Sequence, residues 1–224
     1  MALLTPEDQQ QLRADFAQMS RQVHLIFFTQ TLDCETCLQT RQILDELPPL
    51  SDRIVIDEVN FILEPERAAQ YGIDRVPALA LASASDDAMG SLEDSRMRFL
   101  GIPAGYEFIS LIQAILIAGG RSPNLTEASR RQLAVVDRPI TLRVFSTPTC
   151  PHCPRAALLA FEMAAASPFV TSYAVEVTEY PDLARRYRVT GVPKTVVDEQ
   201  IEILGAIPED AFIEQALSTF TSPS

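Results

Sequence analysis

Apolar residues in this chain fall into short continuous runs, separated by stretches whose apolar positions recur at helical spacing. "HLIFFTQ" at 24–30 and "ITLRVFST" at 140–147 are strand-like runs too short and too β-branched or aromatic to suit helices. The pattern predicts helices over about 5–19 and 125–135, then strands at 23–28 and 140–145, then helices at about 37–46 and 153–165. Second strands follow at 53–59 and 170–176. "PERAAQYGIDRVP" at 65–77 and "PDLARRYRVTGVP" at 181–193 each begin as a short helix, proline suiting its first turn. Strand pairs at 78–82 with 96–100, and 194–198 with 201–204, precede closing helices at 105–118 and 208–218. The order predicts an α/β fold with a mixed sheet covered by helices on both faces.

The predicted elements occur twice. At an offset of 116 residues Cys34 meets Cys150, Cys37 meets Cys153, Tyr71 meets Tyr187, and Val76-Pro77 meets Val192-Pro193. Five anchors in one register indicate duplication. The boundary falls near "GGRSPN" at 119–124, where Gly-Gly stops one helix, giving units 1–120 and 121–224 of common domain size. The halves differ between their last two strands: "SASDDAMGSLEDS" at 83–95 stands where the second half has "DEQ", and reads as a solvent-exposed insertion.

Charge narrows the partners. The 30 acids against 18 bases give −12, an excess concentrated in the first half, which excludes a generic nucleic-acid surface. The apolar run "FISLIQAILIAG" at 108–119 is too short to span a bilayer and contains Ser110 and Gln113. "MALLTPEDQQQLRADF" has no basic start followed by an apolar core, so the expectation is a soluble, cytoplasmic protein without a signal peptide or membrane partner.

All 4 cysteines lie in two Cys-x-x-Cys pairs, "DCETC" at 33–37 and "TPTCPHC" at 147–153. Two such pairs are also the usual supply for tetrahedral zinc, but here they occupy equivalent places in separate repeats, with no glycine near either. At a helix start the spacing has another use. Helix N–H groups and the dipole favour a thiolate at Cys34 or Cys150, which attacks a disulfide; Cys37 or Cys153, one turn on, resolves the mixed disulfide. Pro151 suits the first turn, and His152 can give Cys150 a hydrogen bond or positive charge. Asp33 and Glu35 surround Cys34 with negative charge and oppose its ionisation. The chemistry therefore predicts a readier second pair.

Strand, Cys-x-x-Cys, helix and Val-Pro, repeated, resemble a tandem of thioredoxin folds, and the two-site arrangement resembles the protein disulfide oxidoreductases, glutaredoxin-like proteins with two Cys-x-x-Cys sites. The resemblance covers nearly the whole chain and implies two tandem thioredoxin-like domains, each a central mixed sheet flanked by helices. It implies that Pro77 and Pro193 are cis and face the dithiols. It also implies protein thiols and disulfides as substrates and a flavin-dependent reductase upstream, with no cofactor on this chain, which lacks G-x-G-x-x-G. Two departures bear on mechanism. Phe28 and Val144 stand where thioredoxins carry a buried carboxylate six residues before the first cysteine, so proton transfer must use water or another group. "LGAIPED" at 204–210 lacks the Gly-Gly turn of glutathione-binding glutaredoxins. His24 reads as a packed or edge residue of its strand. The rival readings are a client-binding scaffold that keeps the fold without turnover, and a zinc protein.

Overall fold

The computed structural model describes residues 4–85 and 91–221. Its first half runs α1 (Pro6–Phe16), β1 (Val23–Thr29), α2 (Cys37–Asp45), β2 (Ile54–Asn60), α3 (Pro65–Gln70), β3 (Ala78–Ala84), β4 (Leu92–Leu100) and α4 (Tyr106–Ala118). The second runs α5 (Glu127–Leu133), β5 (Ile140–Ser146), α6 (Cys153–Ala166), β6 (Val170–Glu176), α7 (Pro181–Arg186), β7 (Lys194–Val197), β8 (Ile201–Leu204) and α8 (Glu209–Ala216). Local chemistry sets several boundaries. Thr5 and Asp8 form a reciprocal capping box ahead of α1, and Thr126 caps α5 by accepting from Ser129 N–H at 3.2 Å.

Among the described residues all eight strands share one sheet, ordered β2-β1-β3-β4-β6-β5-β7-β8. Each half keeps its own four strands, but the two quartets merge through a parallel pairing of β4 with β6, Met97 to Leu100 opposite Ser172 to Val175. Side-chain alternation along the strands builds one apolar layer on each face. Val23, Leu25 and Phe27 of β1 join Leu142 and Val144 of β5 beneath the helices α1, α2, α4, α5, α6 and α8. Ile26, Phe28 and Phe145 point the other way, beneath α3 and α7. Both layers cross the junction, and Phe99 of β4 meets Phe161 of α6 with ring centroids 5.1 Å apart.

The expected exposed insertion over 83–95 is mostly hairpin. β3 extends to Ala84 and β4 starts at Leu92, with Ser85 N–H donating to Ser91 O at 2.9 Å; residues 86–90 lie outside the described residues. The stretch lacks apolar alternation, so its strand character comes from backbone pairing with β3 rather than from side-chain burial. Among the described residues no helix is long and apolar enough to cross a membrane.

Candidate active site

β1 and β5 run parallel and each ends in a Cys-x-x-Cys loop, so both loops emerge at the same end of the sheet. Cys34–Cys37 and Cys150–Cys153 are both closed as disulfides, with Cα atoms 5.5 Å apart in each. In both pairs the second sulfur is the deeper: Cys37 is 5% exposed against a half-buried Cys34, and Cys153 is 1% exposed against 8% for Cys150. The helices begin at Cys37 and Cys153, so each first cysteine sits in the turn before its helix rather than in the first helical turn. Thr36 and His152 hold the N-cap positions. His152 is exposed and its side chain makes no capping bond.

The peptide bonds Val76–Pro77 and Val192–Pro193 are cis. Each proline immediately precedes a strand paired with the cysteine-bearing strand, Ala78 opposite Phe28 and Lys194 opposite Phe145, which brings it beside its loop. His24, at the far end of β1, hydrogen-bonds Asp57 at 2.6 Å across to β2.

Sequence reasoning finds no carboxyl six residues before either pair. A buried carboxyl from the other half does reach the end of β5. Glu107, in the first turn of α4, is 4% exposed and accepts a hydrogen bond from Ser146 Oγ, at the end of β5. Burial pushes its carboxyl up to about 8; the Ser146 bond opposes that rise, and the charges of Glu176 and Glu179 add to it. Tyr106 N–H also donates to Pro148 O at 2.9 Å, in the loop that leads to Cys150. The approach is so close that a Cβ on Gly105, whose φ is +58°, would collide with Pro148 O. One signal in the sequence points to Glu107: it is a lone acid in the most apolar helix, "YEFISLIQAILIA".

A reverse contact exists. After β6 the chain crosses to the first pair: Glu179 accepts from Thr36 Oγ1 and from Ile102 N–H at 2.6 Å, and Tyr180 donates to Pro77 O at 3.0 Å. Large exposed apolar side chains flank the first pair: Leu32 (76%), Leu38 (69%), Ile62 (64%) and Leu63 (77%). Phe61 N–H, donating to Thr29 O at 2.9 Å, holds the Ile62–Leu63 loop against the end of β1. Among the described residues no three His, Cys, Asp or Glu side chains converge in a way that could hold a metal ion.

The thioredoxin-domain family profile matches residues 140–218. A thioredoxin of Methanocaldococcus jannaschii is 32% identical over 76 residues, covering 34% of this chain and 89% of that protein. The chain belongs to the thioredoxin family. Its tandem form has thioredoxin-fold counterparts in solved structures. The NTD_N/C domain of the alkylhydroperoxide reductase AhpF from Enterococcus faecalis superposes with a TM-score of 0.84 at 26% identity, over 94% of this chain and 99% of that one. A protein disulfide oxidoreductase from Aeropyrum pernix gives 0.84 at 25% identity, over 96% and 93%. Longer relatives match in part. The F component of an alkyl hydroperoxide reductase from Pseudomonas putida is 26% identical over 132 residues, 55% of this chain and only 25% of that protein. Fold, closed Cys-x-x-Cys pairs and relatives together support thiol–disulfide exchange by a thioredoxin-family redox enzyme of two tandem domains.

Proposed function

We propose that the exchange is with other proteins, as a protein dithiol–disulfide oxidoreductase of units 1–120 and 121–224 acting in the cytoplasm. The observation that carries it is the placing of both closed Cys-x-x-Cys loops at one end of the sheet, each beside the proline that leads into the neighbouring strand. Cys150 thiolate attacks one sulfur of a substrate disulfide, forming a Cys150–substrate bond and releasing the other substrate sulfur, which takes up a proton. Cys153 gives up its proton and attacks the Cys150 sulfur, closing Cys150–Cys153 and expelling the second substrate thiolate. Two electrons pass from the pair to the substrate. We assign Glu107, with its carboxyl raised towards neutrality, to hold the proton that Cys153 surrenders. Pro193 and Pro77 border the substrate, and His152 supports the Cys150 thiolate. Cys34 and Cys37 perform the same steps more slowly, beside Asp33 and Glu35. The likeness to AhpF proteins supports a flavin-dependent reductase as the source of electrons.

The test is reduction of insulin disulfides by Cys34→Ser and Cys150→Ser variants. The Cys150→Ser change should remove at least about tenfold of the turnover, since a thiol held protonated is a poor nucleophile. Loss confined to Cys34→Ser would reverse the assignment of the halves. No turnover above background in the parent protein would favour the scaffold reading.

A further inference from the structure

Thr36 occupies the N-cap of α2, where a threonine hydroxyl normally accepts from its own helix; here it makes no such bond. Its hydroxyl instead donates to Glu179, a residue from the other half of the molecule. The second oxygen of Glu179 accepts from Ile102 N–H at 2.6 Å, so both ends of the carboxylate are engaged and the side chain is held in place. The segment bearing it is anchored on both sides. Glu179 N–H donates to the buried Glu176 at 2.9 Å, and Val177 N–H donates to Ser146 O at 3.0 Å. Beyond it, Tyr180 binds Pro77 O, and Asp182 meets Arg75 at 3.1 Å. Gly101 makes the approach possible: a Cβ there would lie 2.7 Å from Glu176 Cβ and 3.1 Å from Glu179 Oε1. At the equivalent place in the first half stands Leu63, which is exposed. Only one of the two repeats carries this carboxylate.

We propose that Glu179 is a positioning residue for the other half's redox pair: it fixes the turn before Cys37 through Thr36 and places a charge that holds the Cys34 thiol protonated. The inference rests on Cys34–Cys37 cycling between dithiol and disulfide, as proposed above. Asp33 and Glu35 flank the pair locally, but both are exposed and screened by solvent. Glu179 is half-buried and acts through a less polar path. Burial raises its own carboxyl, the Thr36 and Ile102 bonds oppose that rise, and Glu176 adds to it. Its ionisable surroundings are Glu176 on the same turn, Glu107 on α4, Tyr180, and the Arg75–Asp182 pair.

Glutamine at 179 keeps the geometry while deleting the charge, since its carbonyl can accept from Ile102 and its amide can donate to Thr36 Oγ1. The experiment uses the full chain carrying Cys150→Ser and Cys153→Ser, reduced, with alkylation of Cys34 followed from pH 5 to 10. Glu179→Gln should speed alkylation at pH 7 by about threefold to tenfold and move the midpoint to lower pH. The parent itself should show an added bend where the carboxyl ionises, a measurement that needs no variant to fold. In the reciprocal background, Cys34→Ser with Cys37→Ser, the same substitution should change Cys150 clearly less than Cys34, because Glu179 bonds the first pair's turn and reaches the second pair only through its charge on Glu107. A Glu179→Gln rate within twofold of the parent, a parent profile with a single step, or an equal shift at Cys150 would overturn the proposal. A parent pair that cannot be reduced and reoxidised would overturn both this proposal and the redox role of the first site.

Discussion

Two buried cations show how the repeats reach one solution from different positions. The carbonyl of Tyr71 closes α3 and that of Tyr187 closes α7, and both tyrosines are buried. In the first half Arg98 Nε, on β4, donates to Tyr71 O at 2.9 Å; in the second Lys194 Nζ, on β7, donates to Tyr187 O at 2.7 Å. Each cation is neutralised nearby, Arg98 by Asp94 at 2.5 Å and Lys194 by Glu202 at 2.9 Å. The chain's single lysine is therefore a structural residue beside Pro193. We expect Arg98→Met and Lys194→Met each to lower unfolding free energy by about 1–3 kcal/mol, because a buried carbonyl and a carboxylate lose their partner together. Urea denaturation of each variant measures this, and a loss below about half a kcal/mol would mean that water replaces the cation without penalty.

At the scale of elements, α4 illustrates both what the chain discloses and what it conceals. Its span is visible from apolar spacing and the Gly-Gly stop, as the strands at 140–145 and 170–176 are visible from their runs. The cysteine pairs and Val-Pro segments are equally legible, because their chemistry is carried by neighbours within a few residues. The role of Glu107 is not, since it depends on α4 docking against the end of β5 in the other repeat, 39 residues further along the chain. The same holds for Glu179, whose contact with Thr36 spans 143 residues. The docking has a consequence for stability. Glu107 keeps its proton up to about 8 when folded, while its ordinary value is 4.5. The folded state thus binds more protons than the unfolded one between those values. Stability falls as pH rises through that window and levels off above it, by on the order of 5 kcal/mol in total. Glu107→Gln should remove this fall, which thermal melts between pH 4.5 and 8.5 would reveal as a flatter profile. It should also flatten the pH dependence of turnover at the second pair.

For the whole molecule, the parallel join of β4 and β6 sets a distance. Between β1 and β5 lie four steps across the sheet, which at strand spacing separates the two disulfide loops by about 19 Å. Sulfurs that far apart cannot attack one another, so the pairs do not trade electrons directly. Both nevertheless open on one side, and the sheet behaves as a ruler for anything laid along it. An extended peptide advances about 3.3 Å per residue, so two cysteines roughly six residues apart would reach both loops together. In a Cys37→Ser, Cys153→Ser variant, where mixed disulfides cannot resolve, a peptide with that spacing whose two cysteines each carry a small disulfide-linked leaving thiol should become tethered at Cys34 and Cys150 of one molecule, releasing two small thiols. A peptide with its cysteines two residues apart spans about 7 Å and should be held at only one. Mass spectrometry of the adducts distinguishes the cases, and equal double tethering at both spacings would refute the ruler. Cysteine spacing in a client would then decide whether it is gripped once or twice.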